Sequence, residues 1–168
     1  MTRSISMASG MQIAQQATAD ITTWLNKLPQ TQKITNVENE LVYQKIDVDL
    51  VWTTKKSCYK VEIKGDQWHK TGNFFFETKS NRERATPGCF LYTEADLLFY
   101  YFVIPKILYI LIMPETRHWF LANIQRFKER STTTPVGNGF YTTVGKLVPI
   151  EIVLQELEVK RYNLDIPK

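Results

Sequence analysis

Residues 46–52 (Ile-Asp-Val-Asp-Leu-Val-Trp) alternate apolar and acidic side chains. After a polar break at Thr53, Thr54, Lys55, Lys56 and Ser57, residues 59–64 (Tyr-Lys-Val-Glu-Ile-Lys) alternate again. Alternation of period two marks a half-buried strand, and two such runs around a short polar tip make a β-hairpin. This restricts the chain to folds containing a sheet with an apolar face. Centring the tip on Lys55 and Lys56 sets Asp49 opposite Glu62 and Asp47 opposite Lys64. Side chains two apart share a face, so three carboxylates and one ammonium point one way. Ile46, Val48, Leu50, Val61 and Ile63 point to the other face, where the core is expected.

The rest of the chain supplies the layers around this hairpin. Ile13, Ala17, Ile21, Trp24, Leu25 and Leu28 recur at helical spacing, predicting a helix over 11–28 closed by Pro29 and followed by a polar linker at 30–36. Phe74, Phe75, Phe76 and Glu77 read as a short strand, and 80–88, with Pro87 and Gly88, as a loop. Thr93 followed by Asp96 resembles a helix cap and predicts a helix to about Phe102. Residues 107–112 read as a buried strand, and Pro114 opens a helix bearing Phe120, Ile124 and Phe127. A Thr/Gly loop is expected at 131–139, a strand at 140–148 and a final helix after Pro149 carrying Ile150, Val153, Leu154 and Leu157. The expectation is one domain over 1–168: an α/β fold with a single mixed central sheet flanked by helices, and helical additions at its C-terminal end.

Composition sets the bounds. The 168 residues are 43% hydrophobic and 23% charged, which excludes a disordered chain. The net charge of +4 is compatible with a polyanionic partner. Cys58 and Cys89 form no CxxC pair, so neither a structural zinc site nor an oxidising compartment is implied. The apolar run at 97–113 is broken by Pro105 and Lys106, and the first residues lack a secretory apolar stretch. A soluble, cytoplasmic protein without a membrane span is expected.

Converging carboxylates are unfavourable unless a cation neutralises them, and hard oxygen ligands suit Mg²⁺ or Mn²⁺. A metal on this face would acidify a water and stabilise the charge developing on a phosphodiester, with Lys64 beside it and the Ile63 carbonyl as a further ligand. An exposed charged sheet face gives the same alternation without any metal.

Asp49 followed by Glu62-Ile63-Lys64 on the next strand resembles the motif of the PD-(D/E)XK nuclease superfamily. The likeness extends over residues 38–121, through Gln44-Lys45-Ile46-Asp47, Val61-Glu62-Ile63-Lys64-Gly65-Asp66, Thr71-Gly72-Asn73-Phe74-Phe75-Phe76-Glu77 and Tyr92-Thr93-Glu94-Ala95-Asp96. These stretches are similar to small phage and bacterial members. The resemblance implies a restriction-endonuclease-like α-β-β-β-α-β core and metal-dependent endonucleolytic cleavage of DNA. Glu62 and one aspartate would hold the metal while Lys64 assists the attacking water. Spacing favours Asp49 and the Gln44-x-x-Asp run favours Asp47, so both stay open. No proline precedes either aspartate, a departure from the motif. The alternative is a member that has lost activity and binds nucleic acid or a protein partner.

Glu77, Glu40 and Gln44 are candidate additions to the site. Lys55, Lys56, Lys60, Lys70, Lys79, Arg82 and Arg84 are candidate phosphate contacts, and Trp68 a candidate base-stacking residue. Cutting both strands of a duplex would suit a homodimer.

Overall fold

The computed structural model describes residues 6–165 and the backbone of Arg3–Ser4. In chain order the elements are β1 (Arg3–Ser4), α1 (Met7–Asn26), β2 (Thr31–Asn36), α2 (Leu41–Gln44), β3 (Leu50–Thr54), β4 (Cys58–Asp66), β5 (Asn73–Asn81), β6 (Thr86–Pro87), α3 (Cys89–Tyr92), β7 (Leu97–Phe102), β8 (Ile107–Ile112), α4 (Met113–Asn123), β9 (Lys128–Val136), β10 (Gly139–Pro149), α5 (Ile150–Glu156) and β11 (Val159–Asn163). Among the described residues the strands form two sheets. One is mixed, with six strands in the order β11-β8-β7-β4-β3-β2; the other has five, in the order β1-β9-β10-β5-β6. No helix among the described residues is long and apolar enough to cross a membrane.

The six-stranded sheet has a core on each face. Val61, Phe99, Tyr101, Leu108 and Ile110 pack against Ala17, Ile21 and Leu25 of α1. Leu98, Tyr100, Phe102, Tyr109 and Leu111 point the other way and pack against Phe74 and Phe76 of β5 and Phe120 of α4. The two sheets therefore sandwich an aromatic layer, with Phe74 edge-on to Tyr109 at 5.2 Å and Phe76 stacked on Phe90 at 4.1 Å. Gly65 lets α1 lie close on β4: a Cβ there would come within 3.0 Å of both Ala17 Cβ and the Ile13 carbonyl oxygen.

The hairpin register matches the sequence reading. Leu50 pairs with Val61 and Trp52 with Tyr59, and the tip is closed by Thr54, whose side-chain oxygen accepts the Lys56 and Ser57 N–H groups. The first strand, however, starts at Leu50 rather than at Ile46. Residues 45–47 form a turn in which Asp47 is left-handed, with φ 54°, and Val48 and Asp49 lead from it into the strand. Asp47 and Asp49 thus stand outside the β3–β4 ladder, which begins at Leu50–Val61, so neither the expected Asp47–Lys64 pair nor the Asp49–Glu62 pair forms. Ile46 and Val48 pack with Val37 and Ala95, apart from the Leu50 and Val61 core.

Five further expectations are corrected. The supposed linker at 30–36 is β2, a polar edge strand on β3; an edge strand buries little and leaves a weak apolar pattern. The supposed helix after Thr93 is β7, preceded by the short α3. The run Leu-Leu-Phe-Tyr-Tyr-Phe is apolar throughout because β7 is central and buried on both faces, and periodicity does not separate such a run from a buried helix. The Thr/Gly loop at 131–139 is chiefly β9, whose β-branched threonines pair with β10. The α/β class and mixed sheet stand, but the sheet is not single. The C-terminal additions are chiefly strands, with α5 followed by β11 on β8.

A candidate metal centre between the two sheets

Alternation along β4 turns Val61 into the α1 core and Glu62 and Lys64 toward the second sheet. Lys64 there meets Glu77 of β5, Nζ to Oε2 at 3.8 Å. Glu62 is almost wholly enclosed, only 7% exposed. Among the described residues, Glu62 Oε2 and Asp47 Oδ2 are the buried side-chain oxygens with no hydrogen-bond partner. Leaving a buried carboxylate oxygen unpaired is unfavourable by several kcal/mol, so such an atom calls for a proton or a cation.

Asp47 reaches Glu62 through its left-handed turn, and the turn is tied down from outside. Thr93, itself buried, donates its hydroxyl to the Asp47 carbonyl at 2.8 Å, and the Glu94 N–H donates to the Ile46 carbonyl at 2.8 Å. Arg117 of α4 holds this strap from behind, donating to the Phe90 carbonyl at 3.1 Å and to the Thr93 carbonyl. Thr93 is thus a positioning residue for Asp47, not the start of a helix.

Asp49 does a different job. Its N–H donates to the Val61 carbonyl at 2.9 Å, and its Oδ2 accepts the Ile63 N–H at 2.8 Å. The side chain replaces a ladder bond where β3 and β4 part. Ile63 turns its own side chain into the α1 core.

One neighbour escapes any sequence reading. Cys89, at the start of α3, lies beside Asp47 and Glu62, and the ligand atoms of the three all fall within 4.8 Å of one another. Gly88 makes this possible: a Cβ there would sit 2.3 Å from the Glu77 carbonyl oxygen, so only glycine lets α3 press onto β5. A cavity of about 10 Å³ lined by Glu62, Lys64, Glu77 and Cys89, among others, leaves room for a single water-sized occupant.

The electrostatics are those of a site short of positive charge. Burial, reinforced by Asp49 and Asp47, pushes the Glu62 carboxyl well above its ordinary value against the pull of Lys64. Burial likewise pushes Asp49 up to about 6, although the Ile63 N–H opposes it, and raises Asp47 although the nearby Glu62 carboxyl, Cys89 thiol and Lys64 ammonium pull the other way. Burial would lower Lys64, but its acidic neighbours, Glu77 foremost, hold the ammonium above its usual range. Burial pushes the Cys89 thiol well up, and Tyr92 at the end of α3 is pushed up to about 12 by burial and by Asp47.

Other residues singled out in the sequence are spread more widely. Gln44 donates to the Glu38 carbonyl at 2.9 Å and so orders the loop whose Glu38 acts on Asp49, while Glu40 is exposed at the start of α2. Lys55 and Lys56 cap the hairpin at the end away from Glu62, roughly 20 Å along the strand at the usual rise per residue. Lys60 pairs with Glu94 at 3.8 Å, and Arg82 donates to Ser131 Oγ at 2.5 Å. Lys70, Lys79 and Arg84 are exposed. A groove of about 480 Å³ opens beside Glu62, Lys64 and Glu77, and Trp68, Asn73, Arg130, Thr132, Thr134 and Tyr141 help to line it. Arg130 and the threonine row were not foreseen, because β9 reads as a loop.

Comparison with protein-family models, curated proteins and solved structures finds no match for this chain. The candidate site therefore rests on its own geometry. Two unpartnered buried carboxylate oxygens beside a third carboxylate fit a divalent cation, and Glu62 with Asp47 offers the free donor atoms for it.

Proposed function

We propose that the protein is a metal-dependent endonuclease that hydrolyses DNA phosphodiester bonds at the Glu62 cluster. The observation that carries the reading is the buried, unpartnered Glu62 Oε2, set beside Asp47 and two residues before a lysine on the same strand face. Glu62 and Asp47 hold a divalent cation, Mg²⁺ or Mn²⁺, with Asp49 adjacent and fixed by the Ile63 N–H. The cation, when bound, supplies a Lewis acid that acidifies water and offsets phosphorane charge.

The chain's own groups divide the remaining work. Lys64 stays protonated, because its acidic neighbours stabilise the ammonium. It therefore acts as a fixed positive charge and hydrogen-bond donor toward the phosphate and the attacking water, not as a base. Glu77 holds the Lys64 ammonium at the mouth of the groove. Arg130 and the threonine hydroxyls offer phosphate contacts along the groove, and Trp68 and Tyr141 offer aromatic faces to bases.

The order of elements also supports this reading. From α1 the chain passes through the antiparallel β2, β3 and β4 and then enters β7 parallel to β4. This is compatible with the α-β-β-β-α-β order the resemblance implies except at its second helix, where the chain instead has β5, β6 and the four-residue α3.

Incubation with supercoiled plasmid, and with branched and single-stranded DNA, in the presence of Mg²⁺, Mn²⁺ or EDTA tests the reading. Metal-dependent cleavage lost in folded Glu62→Ala and Lys64→Ala variants is the expected result. Survival of every substrate with either metal would overturn the catalytic reading and leave a binding protein.

A further inference from the structure

Asp47, Glu62 and Cys89 together form a donor set that differs from a purely carboxylate site. We infer that the Cys89 sulfur is a direct metal ligand beside Asp47 and Glu62, making a mixed oxygen–sulfur site that takes thiophilic divalent cations such as Zn²⁺, Co²⁺ and Cd²⁺ more tightly than Mg²⁺. This rests on the metal reading given above and goes beyond it in naming the ligand and the class of cation.

The geometry of the three residues supports it. Their ligand atoms lie within 4.8 Å of one another, near the ~4.6 Å that two bonds of Zn–S length can span. Glu62 Oε2, in a side chain only 7% exposed, and Asp47 Oδ2 have no hydrogen-bond partner, so two of the three donors have an unused oxygen. The adjoining cavity of about 10 Å³ is lined by Glu62 and Cys89 but not by Asp47, and it leaves no space beside the cluster for a larger ligand.

Cys89 is also held in place by the backbone of α3, which is anchored in the core by Phe90. Gly88 brings the start of α3 against the Glu77 carbonyl, and Thr93, one residue past α3, is tied to the Asp47 carbonyl. The short helix and the aspartate turn are therefore one unit, and a shift in either separates the sulfur from the carboxylates.

The chemistry selects the cation. Carboxylates suit Mg²⁺ and Mn²⁺, whereas a thiolate discriminates toward borderline and soft ions. Coordination releases the thiol proton to solvent and leaves the sulfur anion bound to the metal. The three anionic donors exceed the charge of one divalent ion by one, and Lys64, which also pairs with Glu77, lies close enough to offset part of that excess.

Cys58, the other thiol, is exposed on β4 near the hairpin tip, so Cys58→Ser gives a background in which only Cys89 reports. Metal-free Cys58→Ser protein would be titrated with Cd²⁺ and followed by the ultraviolet thiolate-to-cadmium absorption, with Mg²⁺, Mn²⁺ and Cd²⁺ affinities taken by calorimetry. The expected result is an absorption band that saturates at one equivalent. The band should vanish in Cys58→Ser/Cys89→Ser, with Cd²⁺ affinity falling about tenfold or more while Mn²⁺ affinity moves much less. Glu62→Gln with Cys89 intact should also weaken Cd²⁺, because the two share one ion. Cd²⁺ binding without the band, or Cd²⁺ held no more tightly than Mg²⁺, would overturn the inference while leaving a carboxylate site. Failure to bind either Mn²⁺ or Cd²⁺ would overturn the metal reading with it.

Discussion

The Thr93 hydroxyl donates to the carbonyl of Asp47 across 2.8 Å, and this bond holds an aspartate in a left-handed turn that aims its carboxylate at Glu62. The same oxygen accepts the Ala95 N–H at 3.1 Å, so one buried side chain satisfies two backbone groups. Thr93→Val keeps the shape and removes both bonds. Urea denaturation should show a loss of about 1–3 kcal/mol, the usual penalty for unpaired buried polar groups. Metal affinity should fall as well, since Asp47 is freed to rotate.

Gly88 is the complementary fixture. A methyl group there meets the Glu77 carbonyl oxygen at 2.3 Å, and backbone does not yield as a flexible side chain does. Gly88→Ala should therefore force α3 off β5, at about 1–3 kcal/mol by overpacking, and should carry Cys89 and Tyr92 away from the cluster. Thermal melts of the variant and its metal affinity measure the two effects separately.

Stability should depend on pH with an unusual sign in the metal-free protein. The Asp49 carboxyl rises from 3.8 to about 6 on folding, and Asp47 and Glu62 rise too. Between those values the folded state keeps a proton that the unfolded chain has lost, so stability is greatest below the window and falls as pH climbs through it. Denaturation midpoints should drop between about pH 4 and pH 7 in EDTA. Saturating Mn²⁺, which binds the ionised carboxylates, should flatten or reverse that slope. A midpoint that rises with pH in EDTA would contradict the buried-carboxylate account.

Much of this fold is legible in residues whose neighbours are close in sequence. Ile21 and Leu25 mark α1, and Thr54 to Ser57 with the flanking alternation fix the β3–β4 register to the residue. The failures have physical causes. Thr31–Asn36 is a polar edge strand with too little buried surface to leave a pattern. Leu97–Phe102 is buried on both faces, which erases its alternation. In the site, Glu62, Lys64 and Glu77 meet through strand alternation and were readable, whereas Asp47 arrives through a left-handed turn that alternation does not describe. Cys89 was out of reach: its position depends on α3 lying against β5, a contact set by Gly88 and the second sheet.

Removing the charge at Glu62 separates stability from function. Glu62→Gln removes a buried carboxyl whose ionisation the fold opposes, so the metal-free variant should be at least as stable as the wild type at neutral pH, and more stable by about 1 kcal/mol or more where the amide finds a partner. A folded protein that no longer gains stability from Mn²⁺ is the expected combination, read from urea midpoints at neutral pH with and without the ion.

The most direct test of the account is a calorimetric titration of Mn²⁺ into metal-free wild-type protein and into Glu62→Gln. The account predicts one ion bound by the wild type and none by the folded variant. Equal binding by both, or no binding by the wild type, would contradict it.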